Sequence, residues 1–194
     1  MADVSHLTAL ELLAAYRSRA LSPVEVVKGA FERLERINPI INAFYWLDLD
    51  RALDAARKSE QRWMRGEPCG LLDGVPTSVK DALPLHESPA FRGSIAYGET
   101  RDPDTTDSPS VARMREHGAI VLGKTTMCDF GILASGYSSK HGVTRNPWAP
   151  DRNCGGSTSG GSASVAAGIN PIVIGTDIVG SIRLPASFCG LFGK

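Results

Sequence analysis

Fourteen of the chain's 20 glycines lie between Gly118 and Lys194, and the densest cluster is Cys154-Gly-Gly-Ser-Thr-Ser-Gly-Gly-Ser162. Glycine loses more backbone freedom on folding than any other residue. A folded chain therefore keeps such density where turns are tight or where backbone passes close to something else. A Gly/Ser tract can also be a flexible linker. This one runs directly into Ala163-Ser-Val-Ala-Ala-Gly168, which reads as a short helix. Pro171-Ile-Val-Ile174 follows as a buried strand, and then the turn Gly175-Thr-Asp-Ile-Val-Gly-Ser181. A tract set between two ordered elements reads as a built loop rather than a linker.

The remainder divides into two stretches. From Leu7 to about Arg65 the pattern is helical, with Leu7, Leu10, Leu13 and Ala14 at helical spacing and Ser22-Pro23 followed by Glu25 as a helix start. Val26, Val27, Ala30, Phe31 and Leu34 make an apolar stripe expected to end before Asn38-Pro39, because a residue ahead of proline avoids the helical region. A third helix is expected from Asp48 to Arg65, stopping at Gly66. The middle stretch alternates: Val75 to Val79 as a strand, Ser110 to His117 as a helix, Ala119 to Leu122 as a buried strand. Alternation of this kind predicts an α/β fold, a sheet core covered by helices. The chain reads as one domain, with residues 1–66 a helical layer and 67–194 the α/β part.

Composition excludes several classes. Lys plus Arg number 21 and Asp plus Glu 21, so there is no basic excess, and nucleic-acid binding is not expected. The start, Met-Ala-Asp-Val-Ser-His, lacks the charged and apolar regions of a secretory signal, and no apolar run approaches the roughly 18 residues of a membrane span. Cys69, Cys128, Cys154 and Cys189 form no Cys-x-x-Cys pair; free, mostly buried thiols in a reducing cytoplasm are expected. Gly118-Ala-Ile-Val-Leu-Gly-Lys-Thr125 matches the P-loop pattern by letter. A phosphate cradle needs a pliable loop between its glycines, whereas these four residues are an apolar run suited to a strand, so the match is rejected. No metal or cofactor is expected.

Three residues carry chemistry by their surroundings. Ser181 sits on a turn beside Gly180, where neighbouring amides can stabilise an oxyanion. Ser157 lies in the Gly/Ser loop, and Lys80 ends the apolar segment after Gly74. A desolvated amine loses part of its preference for the charged form and can act as a base. The histidines His6, His86, His117 and His141 have no partners at telling spacing, and a Ser-His-Asp hydrolase is not supported. Asp177 and Arg183 read as a charged pair bracing the nucleophile turn.

Gly74-Val-Pro-Thr-Ser-Val-Lys80-Asp81, Thr144-Arg-Asn-Pro-Trp148 and the segment from Gly155 to Gly190, taken together, resemble the amidase signature family. The resemblance implies that family's fold, a mixed β-sheet core covered by helices, and hydrolysis of a carboxamide C–N bond. It also implies a Ser–cis-Ser–Lys triad: Ser181 as acyl-forming nucleophile, Ser157 as bridging serine after a cis bond from Gly156, and Lys80 as base. Backbone amides of Ile178, Val179 and Gly180, running on to Ser181, correspond to the oxyanion loop. Two positions depart from the pattern. Val179 stands where the family has glycine, and a φ > 0 requirement there would strain it; Thr158 replaces a serine but keeps a hydroxyl. Family members are considerably longer, so the chain corresponds to the front portion of such a domain, with uncovered apolar surface and homodimerisation as an expected consequence. A small-molecule amide substrate is expected. The alternatives are an amidase-type component of a tRNA-dependent amidotransferase and an inactive fragment.

Overall fold

Two reciprocal caps open the helical layer. In this computed structural model, which describes residues 4–194, Thr8 and Glu11 cap α1 (Ala9–Ser18), and Ser22 and Glu25 cap α2 (Pro23–Ile41). Residues 1–3 of the stretch read for a secretory signal lie outside the described residues. Each cap satisfies orphan N–H groups of the first turn, typically worth about 1 kcal/mol. The α2 helix does not stop before Asn38-Pro39 but continues through Pro39. Asn38 is the reason: its Oδ1 accepts the amides of Ala43 and Phe44, and its Nδ2 donates to Phe44 O. With Asn42 in the left-handed region donating to Asn38 O, the exit is held despite the bond Pro39 cannot make.

The chain then forms β1 (Phe44–Leu47) and α3 (Leu49–Arg65), the latter running from an Asp48 cap to Gly66 at φ +75°. Next come β2 (Pro76–Lys80), α4 (Pro109–Glu116) and β3 (Ile120–Thr125). Two small hairpins follow, β4 (Tyr137–Ser138) with β5 (Gly142–Val143) and β6 (Arg145–Asn146) with β7 (Ala149–Asn153). The last elements are α5 (Ser159–Ala166), β8 (Ile172–Ile174) and α6 (Arg183–Phe188).

The main sheet has the order β1-β3-β2-β8; β2 is parallel to both neighbours, and β1 is antiparallel to β3. β2 is buried along its length, whereas β8 is half-buried, not buried as its sequence suggests, because it is the edge strand. The core joins Phe31, Leu34 and Ile41 of α2 to Ile120 and Leu122 of β3 and to Ala163 of α5. A second cluster of Leu12, Tyr16, Val26 and Trp63 unites the helical layer, and the Tyr16 hydroxyl donates to Gly74 O at 3.0 Å, tying that layer to the loop that leads into β2. The P-loop look-alike is strand from Ile120 to Thr125, with Gly123 packed against β1. All four cysteines are free, three of them buried. Among the described residues no helix is long and apolar enough to cross a membrane.

Candidate active site

The Gly/Ser loop is solid interior. Residues 154–162 are all buried, and a Cβ at Gly156 would overlap the Ser135 carbonyl, as one at Gly160 would overlap that of Ala43. Close backbone approach therefore accounts for these glycines. The Gly156–Ser157 peptide bond is cis.

The parallel β2–β8 pairing carries the end of β2 to this loop. Lys80, the last residue of β2, is 0% exposed. Its Nζ donates to Ser157 Oγ at 2.8 Å, to Thr176 Oγ1 at 2.8 Å and to Thr176 O at 3.2 Å. Burial pushes the pKa of the Lys80 ammonium down to about 8, against the opposing influence of Cys128 and Asp177. A buried amine with a hydroxyl at hydrogen-bond distance is equipped to take a proton near neutral pH. Sequence reasoning does not single out Thr176. Its only local signal is its place in the Gly175–Ser181 turn; its partner lies 96 residues earlier.

Ser181 is brought to the loop by the backbone, Thr158 N donating to Ser181 O at 3.0 Å. Among the described residues no hydrogen bond joins the Ser157 and Ser181 hydroxyls. The turn between Thr176 and Ser181 is organised by Asp177, which accepts from the amides of Gly180 (2.6 Å), Ile182 (3.1 Å) and Arg183 (3.2 Å). The Arg183 guanidinium closes on the same carboxylate at 2.9 and 3.0 Å, the bracing expected of this pair. With the Gly180 N–H engaged by Asp177, the amides of Ile178, Val179 and Ser181 are left without an acceptor among the described residues. Ile178 and Val179 are 91% and 85% exposed. Gly180 takes φ +110° and Val179 is not in the left-handed region, so valine there carries no backbone strain.

The opposite wall comes from residues 129–133. A Cβ on Gly131 would stand 3.2 Å from Ser157 Oγ, and Phe130, Ile132 and Leu133 are exposed beside it. Among the described residues no cluster of His, Cys, Asp and Glu could hold a metal ion. The arrangement thus places a buried amine, the Ser157 hydroxyl, a second serine and the free amides of Ile178, Val179 and Ser181 around one end of the sheet.

The profile of the Amidase family matches residues 25–194. The chain belongs to the amidase family. Among its relatives, one component of the glutamyl-tRNA(Gln) amidotransferase of Acidothermus cellulolyticus is 39% identical over 100% of this chain and 38% of the relative. The indoleacetamide hydrolase of Bradyrhizobium diazoefficiens is 39% identical over 95% of this chain and 35% of its own. Among solved structures, a bacterial aryl acylamidase of the amidase signature family superposes with a TM-score of 0.88 at 36% identity, covering 94% of this chain and 38% of that one. A vestigial protein complex described as revealing the evolutionary origins of an s-triazine catabolic enzyme gives 0.92 at 32% identity, covering 96% of this chain and 41% of that one. The mixed sheet with its helices is the amidase signature fold, and this amidase-family chain spans about two-fifths of the length of the relatives it matches.

Proposed function

We propose that this chain carries the nucleophile, proton bridge and base of an amide hydrolase acting on a small-molecule carboxamide. The observation that supports it most directly is the 2.8 Å contact between the fully buried Lys80 amine and Ser157 Oγ. In this reading neutral Lys80 accepts the Ser157 proton while Ser157 accepts that of Ser181. Ser181 Oγ attacks the amide carbonyl, and the oxyanion faces the free amides of the Ile178–Ser181 loop. Losing one such donor typically costs roughly 100-fold in rate. The proton returns through Ser157 to the leaving amine, and water then releases the acyl group from Ser181. The free thiols accord with a reducing, cytoplasmic setting.

Intact mass after treatment with a fluorophosphonate tests the reading. A single adduct on the wild type that is absent from Ser181→Ala is the expected result; a folded wild type with no adduct overturns it. A second reading draws support from the Acidothermus relative matched across the whole chain, whose name makes it one component of a glutamyl-tRNA(Gln) amidotransferase. Glutaminase activity that appears only on adding the other components of such a complex distinguishes that role from free-standing hydrolysis.

A further inference from the structure

Lys80 and Asp81 leave the end of β2 in different directions. Lys80 turns to Ser157 and Thr176, whereas the Asp81 carboxylate, 0% exposed, turns to a second buried set of groups. Its Oδ1 accepts the Tyr45 hydroxyl at 2.6 Å and the Phe91 amide at 2.9 Å, and its Oδ2 accepts the Gly93 amide at 2.7 Å. Lys124 Nζ stands 3.8 Å from this carboxylate and 3.8 Å from Asp104, and His141, stacked on Tyr45, stands 3.8 Å from Asp81 Oδ2. Burial raises the Asp81 carboxyl, but His141, Tyr45, Lys124 and the Gly93 amide outweigh it and hold the group below its usual range, so the carboxylate stays charged.

The backbone held by that charge is strained. Between the two bound amides, Arg92 has φ +48°, followed by Gly93 at φ +73°. Only the glycine adopts this region freely; a side chain there costs on the order of 1 kcal/mol and persists where neighbours enforce it. Two amides flanking Arg92 and converging on one carboxylate are that enforcement. Arg92 in turn offers its carbonyl to the Phe130 amide at 2.8 Å. Phe130 is itself left-handed at φ +51°, and the next residue, Gly131, is the one packed on Ser157.

The geometry points to Asp81 as a positioning residue for Ser157: its carboxylate clamps the 91–93 strap, the strap holds the 129–131 turn, and that turn closes on the bridging hydroxyl. This rests on the reading of Ser157 as the proton bridge. One strand end thus supplies the base through Lys80 and, through the next residue, the clamp that fixes the base's partner.

Asp81→Asn tests it, because the isosteric amide keeps one acceptor oxygen but sets an NH2 group against a strap amide. The expected result has two parts. Hydrogen exchange at Gly93, Phe130 and Gly131 rises roughly tenfold or more while α5 is unchanged, and the maximal rate of fluorophosphonate labelling falls roughly tenfold or more with its half-saturating concentration little altered. Leu12→Ala, which loosens the separate cluster of the helical layer, serves as the control for general destabilisation and should change both values far less. If Asp81→Asn does not fold, Tyr45→Phe removes one donor to the same carboxylate and should move both readouts in the same direction by less. Labelling at the wild-type rate, or slowed only as much as in Leu12→Ala, overturns the proposal. Should the wild type itself not label, the hydrolase reading falls and exchange alone decides the clamp: unaltered exchange at Gly93 and Phe130 overturns it, and raised exchange supports it.

Discussion

The carboxylate of Asp177 and the amide of Gly180 lie 2.6 Å apart, closing the turn that carries Ser181. The same carboxylate takes the amides of Ile182 and Arg183 and the Arg183 guanidinium, so one charge sets the backbone on both sides of the serine. Because the amide of Gly180 is occupied in this way, the proposed oxyanion loop has the amides of Ile178, Val179 and Ser181 left to offer.

The Asp177 contacts have a pH signature. Arg183 foremost, then the three amides, hold this carboxyl well below the usual carboxylate range, against burial. A depressed folded-state pKa contributes stability above the unfolded value of about 3.9 and loses it as pH falls through the folded one. Asp177→Asn lacks that contribution at every pH. Its melting temperature should lie below the wild type's at pH 7, and the two should converge in acid. A constant gap from pH 7 to the acid limit of folding would show that the charge is not what holds the turn.

For Lys80 a shift in the same direction works against the fold at neutral pH, because here it is the charged form that is disfavoured. Its folded-state value of about 8 lies below the ordinary lysine value of about 10.4, so the folded chain binds the proton less well. Stability therefore rises with pH between about 8 and 10.4, and at neutral pH the buried amine costs on the order of 3 kcal/mol. Lys80→Met should melt several degrees higher than the wild type at pH 7 and take no fluorophosphonate. Wild-type labelling should climb about tenfold per pH unit below 8 and level off above it. A flat labelling profile from pH 6 to 9 would remove Lys80 as the base.

The legible parts of this chain are those whose signal is local. Ser22-Pro23-Val-Glu25 announces α2, and Gly66 ends α3, because caps are short-range chemistry. The β1 strand is hidden in the sequence, since Phe44-Tyr-Trp-Leu47 is a short apolar run with no alternation, placed only by pairing with β3. The exit from α2 overruns the boundary that Asn38-Pro39 suggests, because the Asn38 bonds that carry the helix past Pro39 depend on where Ala43 and Phe44 go. Lys80 and Ser157 stand out one by one, but their contact spans 77 residues, and nothing around Asp81 foretells that Tyr45 and the 91–93 amides converge there.

Val179 offers a test of the turn that carries Ser181, the proposed nucleophile. Its backbone is outside the left-handed region and the residue is 85% exposed, so it neither strains the loop nor packs in the interior. Val179→Gly should then increase only the freedom of the unfolded chain and cost about 0.5–1 kcal/mol, with labelling equal to or slower than wild type. Labelling several-fold faster in Val179→Gly would mean that the valine obstructs the oxyanion site.

Gly160 separates intrinsic preference from packing. It lies in the first turn of α5, where replacing glycine with alanine in an open helix gains about 1 kcal/mol. Here the added Cβ would overlap the Ala43 carbonyl and meet the Thr126 amide at 2.7 Å, both backbone atoms that a rotamer change cannot move. Overpacking of this kind costs roughly 1–3 kcal/mol or more, so the clash should win over the propensity. Gly29 in α2 is the contrast: its Cβ would find only a Val4 methyl at 3.4 Å, an ordinary contact. Urea unfolding should therefore show Gly160→Ala less stable than wild type and Gly29→Ala slightly more stable. Equal stability of Gly160→Ala and wild type would mean that the first turn of α5 is not pressed against the backbone of Ala43 and Thr126 as tightly as the geometry requires.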